Sequence, residues 1–321
     1  MFFDRTPATP LLTRQDVPDL PPALNDVSSI FNPGAIRLDG TTTLLCRVQT
    51  RGRRTVTWAA TSTDGTTFAF APRPVEFLGL DGLVDPGSGA PLTVYHNYDA
   101  RITPCEDRLY VVTALDTNLG CRLAIWRTDD FCKLRLIGLT GDYDTRNGVL
   151  FPQLIGGRFA MLERPNTTRT AGGPTTGDSV RLITSADLTN WRDEGPVFGG
   201  QPHYWDELVG SGPPPLATDA GWLHIYHGVA THFQSANIYQ AGAVLLDHDD
   251  PTVVLGRTRE NILEPRLDWE VSGQVPNVVF PSGLTVTGTG DKALLNLYYG
   301  AADTVIGRAT APVAEILAAC L

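Results

Sequence analysis

Charged side chains set inside otherwise apolar strings are the first sign of chemistry in this chain. Arg47 lies within LLCRV, and Asp99 and Arg101 within YDARIT. Arg146 and Asn147 precede VLFPQL, Glu163 and Arg164 close FAMLERP, His227 ends LHIYHG, and Asp303 follows LYYGAA. Apolar strands are normally buried, and a buried charge is costly unless it is paired. Any one of these residues reads most simply as half of an ion pair. As a set they offer two kinds of chemistry. Carboxylates suit glycosidic bonds, where an acid must protonate the leaving oxygen. Arginines with a histidine suit phosphate, which they meet with forked, charged donors. The histidines His96, His203, His224, His232 and His248 are scattered, so neither a metal nor another cofactor is expected. The GxG strings lack the strand-to-helix setting of a nucleotide fold.

Side chains so far apart in sequence need elements that bring them together, and the chain repeats one pattern five times. Each copy is an apolar and aromatic run, a turn with Gly, Asp or Glu, and a second run. The copies are 39–48 with 55–68, 105–115 with 121–131, 155–165 with 179–191, 218–229 with 239–251, and 290–303 with 304–312. Runs of Val, Ile, Leu, Tyr and Trp between such turns are strand chemistry. A period of roughly 50 to 70 residues is that of propeller blades with inserted loops. The expected fold is therefore all-β, a five-bladed β-propeller, with one charged residue of each blade turned toward the axis. Residues 1–27 read as an extended N-terminal arm and 28–321 as a single catalytic domain. Residues 166–178 read as a mobile loop, and the final TAPVAEILAACL as a short helix started by Pro312.

Composition agrees. In 321 residues there are 32 Gly and 24 Pro, with 42% hydrophobic and only 19% charged residues. That mix suits short strands and tight turns. The net charge of −10 argues against nucleic acid and anionic membrane surfaces as partners. Five cysteines without a CxxC pair argue against a disulfide framework and a zinc site. The first twenty residues lack a basic then apolar leader, and no apolar run approaches 18 residues, so a cytoplasmic location is expected.

The strings IFNPGAIRLDG, LFPQLIGGRFAMLERP, GSGPPPL, GWLHIYHGV, AVLLDHDDPTVVLGRT, ILEP, PNVVFPSG and LYYGAADTVIGRAT resemble glycoside hydrolase family 130, over about residues 28–318. That is a family of inverting β-mannoside phosphorylases and some β-mannosidases, built as five-bladed propellers. The resemblance implies a β-mannoside oligosaccharide and inorganic phosphate as partners, with a homo-oligomer left open. Its acid motif, Asp-Pro-Arg, matches Asp99-Ala100-Arg101, which makes Asp99 the general acid, acting through the mannose 3-hydroxyl. The Pro-to-Ala change loosens the backbone there. The sugar-binding positions map onto Asn32, Arg47, Arg101 and Asp303. The phosphate-binding positions map onto Arg146, Asn147, Arg164, His227 and Tyr239.

One departure bears on the reaction. The family's phosphorylases usually carry a Lys just before the G-x-G-P-P-P segment, where this chain has Leu208. A charged hydrogen bond lost to phosphate costs ~1.5–3 kcal/mol. Hydrolysis, the alternative, needs a carboxylate base to activate water, and Glu163, Asp206 and Glu207 are candidates. If Arg164 points inward, however, strand alternation turns Glu163 outward. Phosphorolysis is the favoured expectation, with hydrolysis second and sugar binding without catalysis third.

Overall fold

The computed structural model describes residues 2–20, 26–169, 175–232 and 237–321. Five antiparallel sheets follow one another along the chain as the blades of a β-propeller. The first blade runs outward through Val27–Leu38, Thr41–Thr50, Thr55–Ser62 and Ala69–Phe70. The second runs through Val94–Cys105, Arg108–Thr117, Gly120–Thr128 and Lys133–Leu139, with Glu76–Leu78 added in parallel at its outer edge. The third comprises Thr145–Leu150, Phe159–Pro165, Ser179–Ser185 and Trp191–Gly199. The fourth comprises Leu208–Ser211 and Leu216–Thr218, then Gly221–Ala230, Ile238–Leu246 and Val254–Arg257. The fifth has Val279–Thr287, Leu294–Ala301 and Val305–Pro312.

The repeated hairpins are thus the second and third strands of each blade, and the strand on the axis precedes them. The recurring apolar run is therefore not the innermost strand of its blade. Four of the five axial strands break register against the next strand, which interrupts the strand pattern there. A recurring aspartate turn follows the third strand, its Asp preceded two residues earlier by Ser or Thr in three of four cases. Asp64, Asp130, Asp187 and Asp247 each accept two backbone N–H groups from two and three residues ahead. These Asx turns lead out of the third strand in four of the blades.

The core lies between blades. Among the described residues five of the six buried clusters are each shared by two neighbours, such as Leu45 with Val111 for blades one and two, or Ile225 with Leu297 for blades four and five, and the small sixth, Tyr98 with Ala114 and Cys121, lies within blade two. The N-terminal segment enters the closing cluster through Leu12, beside Ile30, Tyr298 and Ile306. Asp4 and Leu12 also bridge Thr310 and Ile306, at the outer edge of the fifth blade. Segment 166–178 is not featureless: Thr168–Arg169 pairs with Thr175–Thr176 as a small ribbon, while its tip, 170–174, lies outside the described residues. The final helix is Val313–Cys320, with Pro312 at its N-cap position and no side-chain cap hydrogen bond. All five cysteines are free thiols, only Cys132 being exposed. Among the described residues no helix is long and apolar enough to cross a membrane.

Candidate functional site

Three axial strands break register at the same level, between Phe31 and Gly34, Tyr98 and Arg101, and Arg146 and Val149. Each break holds a residue in the left-handed region: Asn32 (φ 46°), Asp99 (φ 58°) and Asn147 (φ 55°). In the fifth blade Asp303 (φ 51°) takes the same conformation in the turn after Leu294–Ala301. Asn and Asp tolerate this backbone better than other non-glycine residues. A bulge re-aims the side chain it carries, and here all four turn into one cavity of about 330 Å³. That is near the lower end of small-ligand pockets.

Of the sequence-predicted residues, Asn32, Arg47, Asp99, Arg146, Asn147, Arg164, His227, Tyr239 and Asp303 line this cavity. Arg101 does not, which corrects its assignment to the sugar. Only 1% of it is exposed; its Nε and Nη1 donate to main-chain carbonyls, and its Nη2 is buried without a partner. Nε donates to Gly212 O at 2.8 Å, across the axis in the fourth blade, and Nη1 to Asp99 O at 3.1 Å and Ala100 O at 3.3 Å.

At one side of the cavity Asp99 is held by a single oxygen. Its Oδ1 accepts from Asn32 Nδ2 at 3.0 Å and from Arg47 Nη1 at 3.1 Å. The Arg47 guanidinium lies 4.6 Å from the ring of Phe31 and 4.5 Å from that of Tyr98, a cation–π setting that fixes its position. Asn32 in turn sits against Gly300, where a Cβ would come within 1.9 Å of Asn32 Oδ1. Burial lifts the carboxyl of Asp303 to about 6; Arg47 opposes that rise and Asp99 adds to it.

The other side is cationic. Arg146 and Arg164 are directly opposite each other in the third blade's first strand pair. Arg146 Nη2 donates to Asp116 Oδ1 at 3.2 Å and Arg164 Nη2 to Asn166 Oδ1 at 2.8 Å. Burial pulls Arg164 down to about 10, still charged at neutral pH. His227 is kept neutral by burial and by the charges of Arg164 and Arg101. Gly210 lies beneath it; a Cβ there would stand 2.5 Å from the imidazole and 2.7 Å from Asn147 Oδ1. Arg146 Nε, Arg164 Nε, Asn147 Oδ1 and His227 Nδ1 are buried without a partner. Such atoms cost ~1–3 kcal/mol each when unsatisfied, which is the mark of a site built for a polar ligand.

The three carboxylates named as hydrolytic bases do not line the cavity. Glu163 points away from it, accepting from Tyr143 Oη and Thr145 Oγ1, and burial lifts it to about 7. Asp206 is bound by Arg257 at 2.5 Å and Tyr226 at 2.9 Å, and Glu207 by Thr231. Leu208 is buried and pairs with Val229, also outside the lining. Sequence reasoning missed Tyr98, Asp116 and Phe280, which do line the cavity. Tyr98 Oη donates to Asp116 Oδ1 at 2.9 Å. Asp116 closes the apolar run YVVTAL, so the rule that found Asp303 would have found it one residue further along.

A family model for glycoside hydrolase family 130, described as beta-1,4-mannooligosaccharide phosphorylase, matches residues 4–321. A 1,2-beta-oligomannan phosphorylase of Thermoanaerobacter sp. is 38% identical over 56% of this chain and 54% of its own length. A beta-1,2-mannobiose phosphorylase of Listeria innocua is 34% identical over 68% of this chain and 58% of its own. A beta-1,4-mannooligosaccharide phosphorylase of Ruminococcus albus is 31% identical over 69% and 64%. The chain thus spans between about half and two thirds of these relatives. Among solved structures, the Listeria innocua beta-1,2-mannobiose phosphorylase in complex with beta-1,2-mannobiose superposes with a TM-score of 0.80 at 26% identity, covering 99% of this chain and 98% of that one. With a family model matched from residue 4 to the last residue and the same propeller in a solved relative, this chain belongs to glycoside hydrolase family 130.

Proposed function

We propose that the chain is an inverting β-mannoside phosphorylase, cleaving a β-mannosidic bond with inorganic phosphate to give α-mannose 1-phosphate. The observation that carries this reading is the division of one cavity. A carboxylic acid, Asp99, stands on one side, and on the other stand two guanidiniums, a neutral imidazole and an amide with unpartnered polar atoms. Phosphate arrives as an anion and needs cations rather than a strong base. Its oxygen attacks the anomeric carbon from the cationic side while Asp99 supplies the proton to the departing oxygen. The bond to the leaving sugar breaks as the bond to phosphate forms, and the configuration inverts. Asn32, Arg47 and Asp303 hold the mannosyl ring; Arg146, Asn147, Arg164, His227 and Tyr239 hold phosphate.

The phosphorylase names of the relatives support the reaction, and their β-1,2 and β-1,4 linkages define the substrates to try. The test is incubation with β-1,2- and β-1,4-mannobiose, with and without phosphate. Mannose 1-phosphate formed only with phosphate is the expected result. Free mannose released regardless of phosphate would assign hydrolysis instead. Asp99→Asn keeps the Oδ1 acceptor and so the fold, but removes the acid; turnover should fall about 10²–10⁴-fold, and near-normal rates would remove Asp99 from the mechanism.

A further inference from the structure

The cationic side of the cavity contains one group that opposes its charge. Asp116, on the second strand of the second blade, lines the cavity with its side chain about one third exposed. Its Oδ1 is fully engaged, accepting from Tyr98 Oη at 2.9 Å and from Arg146 Nη2 at 3.2 Å. Among the described residues nothing donates to Oδ2. The carboxylate is therefore fixed by one oxygen and presents the other beside a guanidinium assigned to phosphate. A bare acceptor in an anion site repels its ligand unless that ligand brings a proton to share.

We propose that Asp116 makes the site selective for an oxyanion that still carries a proton, accepting hydrogen phosphate or hydrogen arsenate and rejecting sulfate. This rests on the phosphorylase reading above. Arg146 and Arg164 do not separate phosphate from sulfate, because both are tetrahedral anions of similar size with oxygen acceptors all round, and the neutral Asn147 amide carries a donor as well as its Oδ1 acceptor and so can meet either anion. At neutral pH phosphate retains an O–H that can donate to Asp116 Oδ2, whereas sulfate has only lone pairs to set against it. The discrimination comes from a repulsive element as much as an attractive one. One charge-assisted hydrogen bond made or lost corresponds to about ten- to a hundredfold in affinity.

The experiment compares phosphate as substrate with sulfate as competitive inhibitor of phosphorolysis, in the wild type and in Asp116→Asn. Asparagine keeps the Oδ1 acceptor for Tyr98 and Arg146 and replaces Oδ2 by a donor. The wild type should bind sulfate at least tenfold more weakly than phosphate and should accept arsenate. In Asp116→Asn the sulfate inhibition constant should fall about ten- to a hundredfold while the phosphate KM improves less or worsens. Calorimetric titration of both anions into each protein reads the same ratio should the variant turn over too slowly. Equal sulfate and phosphate affinity in the wild type, or a ratio unchanged in Asp116→Asn, would overturn the proposal and leave Asp116 as a prop for Arg146. Turnover that needs no phosphate would instead overturn the reading beneath it.

Discussion

Arg101→Met tests whether the acid is positioned from below. Methionine keeps most of the buried stem and deletes the donors to Gly212 O, Asp99 O and Ala100 O. Hydrogen bonds from a charged donor are worth ~1.5–3 kcal/mol each, and Nη1 is shared between two of the carbonyls. Against that loss stands a gain. No carboxylate bonds this guanidinium and burial pulls it down to about 10, so removing it returns a desolvation cost. The net destabilisation should be about 1–4 kcal/mol, a drop in Tm of roughly 2–6 °C for a chain this long. Catalysis should suffer more. Asp99 is held at φ 58°, a conformation that costs ~1–3 kcal/mol and persists only while its surroundings enforce it. Without the clamp the bulge relaxes, and a shift near 1 Å at a reacting group costs about 100-fold. Steady-state kinetics should show kcat down about 100-fold with both KM values within a few-fold of wild type, and Arg101→Lys in between. A raised mannoside KM with normal kcat would return Arg101 to direct sugar contact. A lower Tm with normal kcat would leave it a structural residue only.

Two further perturbations probe the same floor. Asp303 has a folded pKa near 6, above the ~3.9 of a free Asp, so the native state favours its protonated form. Stability is then lost as pH rises from about 4 to 6 and stays lower above that. Asp303→Asn should therefore raise Tm at pH 7–8, with the gain vanishing toward pH 4; a Tm difference independent of pH would refute this. Gly300→Ala should push Asn32 off Asp99, since the new Cβ falls 1.9 Å from Asn32 Oδ1. Overpacking of this kind costs ~1–3 kcal/mol, and kcat should fall with it, whereas wild-type Tm and turnover would show that the contact is easily relieved.

How much of this was legible in the sequence differs between the repeat and the site. The hairpins of Thr41–Ser62 or Gly221–Leu246 were readable because both their strands are buried and obey the strand pattern throughout. The axial strands were not. Their charged and amide residues sit in register breaks at positive φ, where the alternation of faces fails. Asp99 and Arg101 illustrate the consequence. Two residues apart on a regular strand they would share a face; the left-handed bulge turns Asp99 into the cavity and leaves Arg101 outside its lining, unlike the sugar-binding role the resemblance implied for Arg101. Asn32, Asp99 and Asn147 share one position in three blades, yet their neighbours Pro33, Ala100 and Gly148 have nothing in common. The equivalence lies in backbone geometry, which the propeller enforces by closing on itself. A site assembled this way depends on ring closure as much as on its own residues, because its acids, amides, guanidiniums and imidazole are contributed by all five blades.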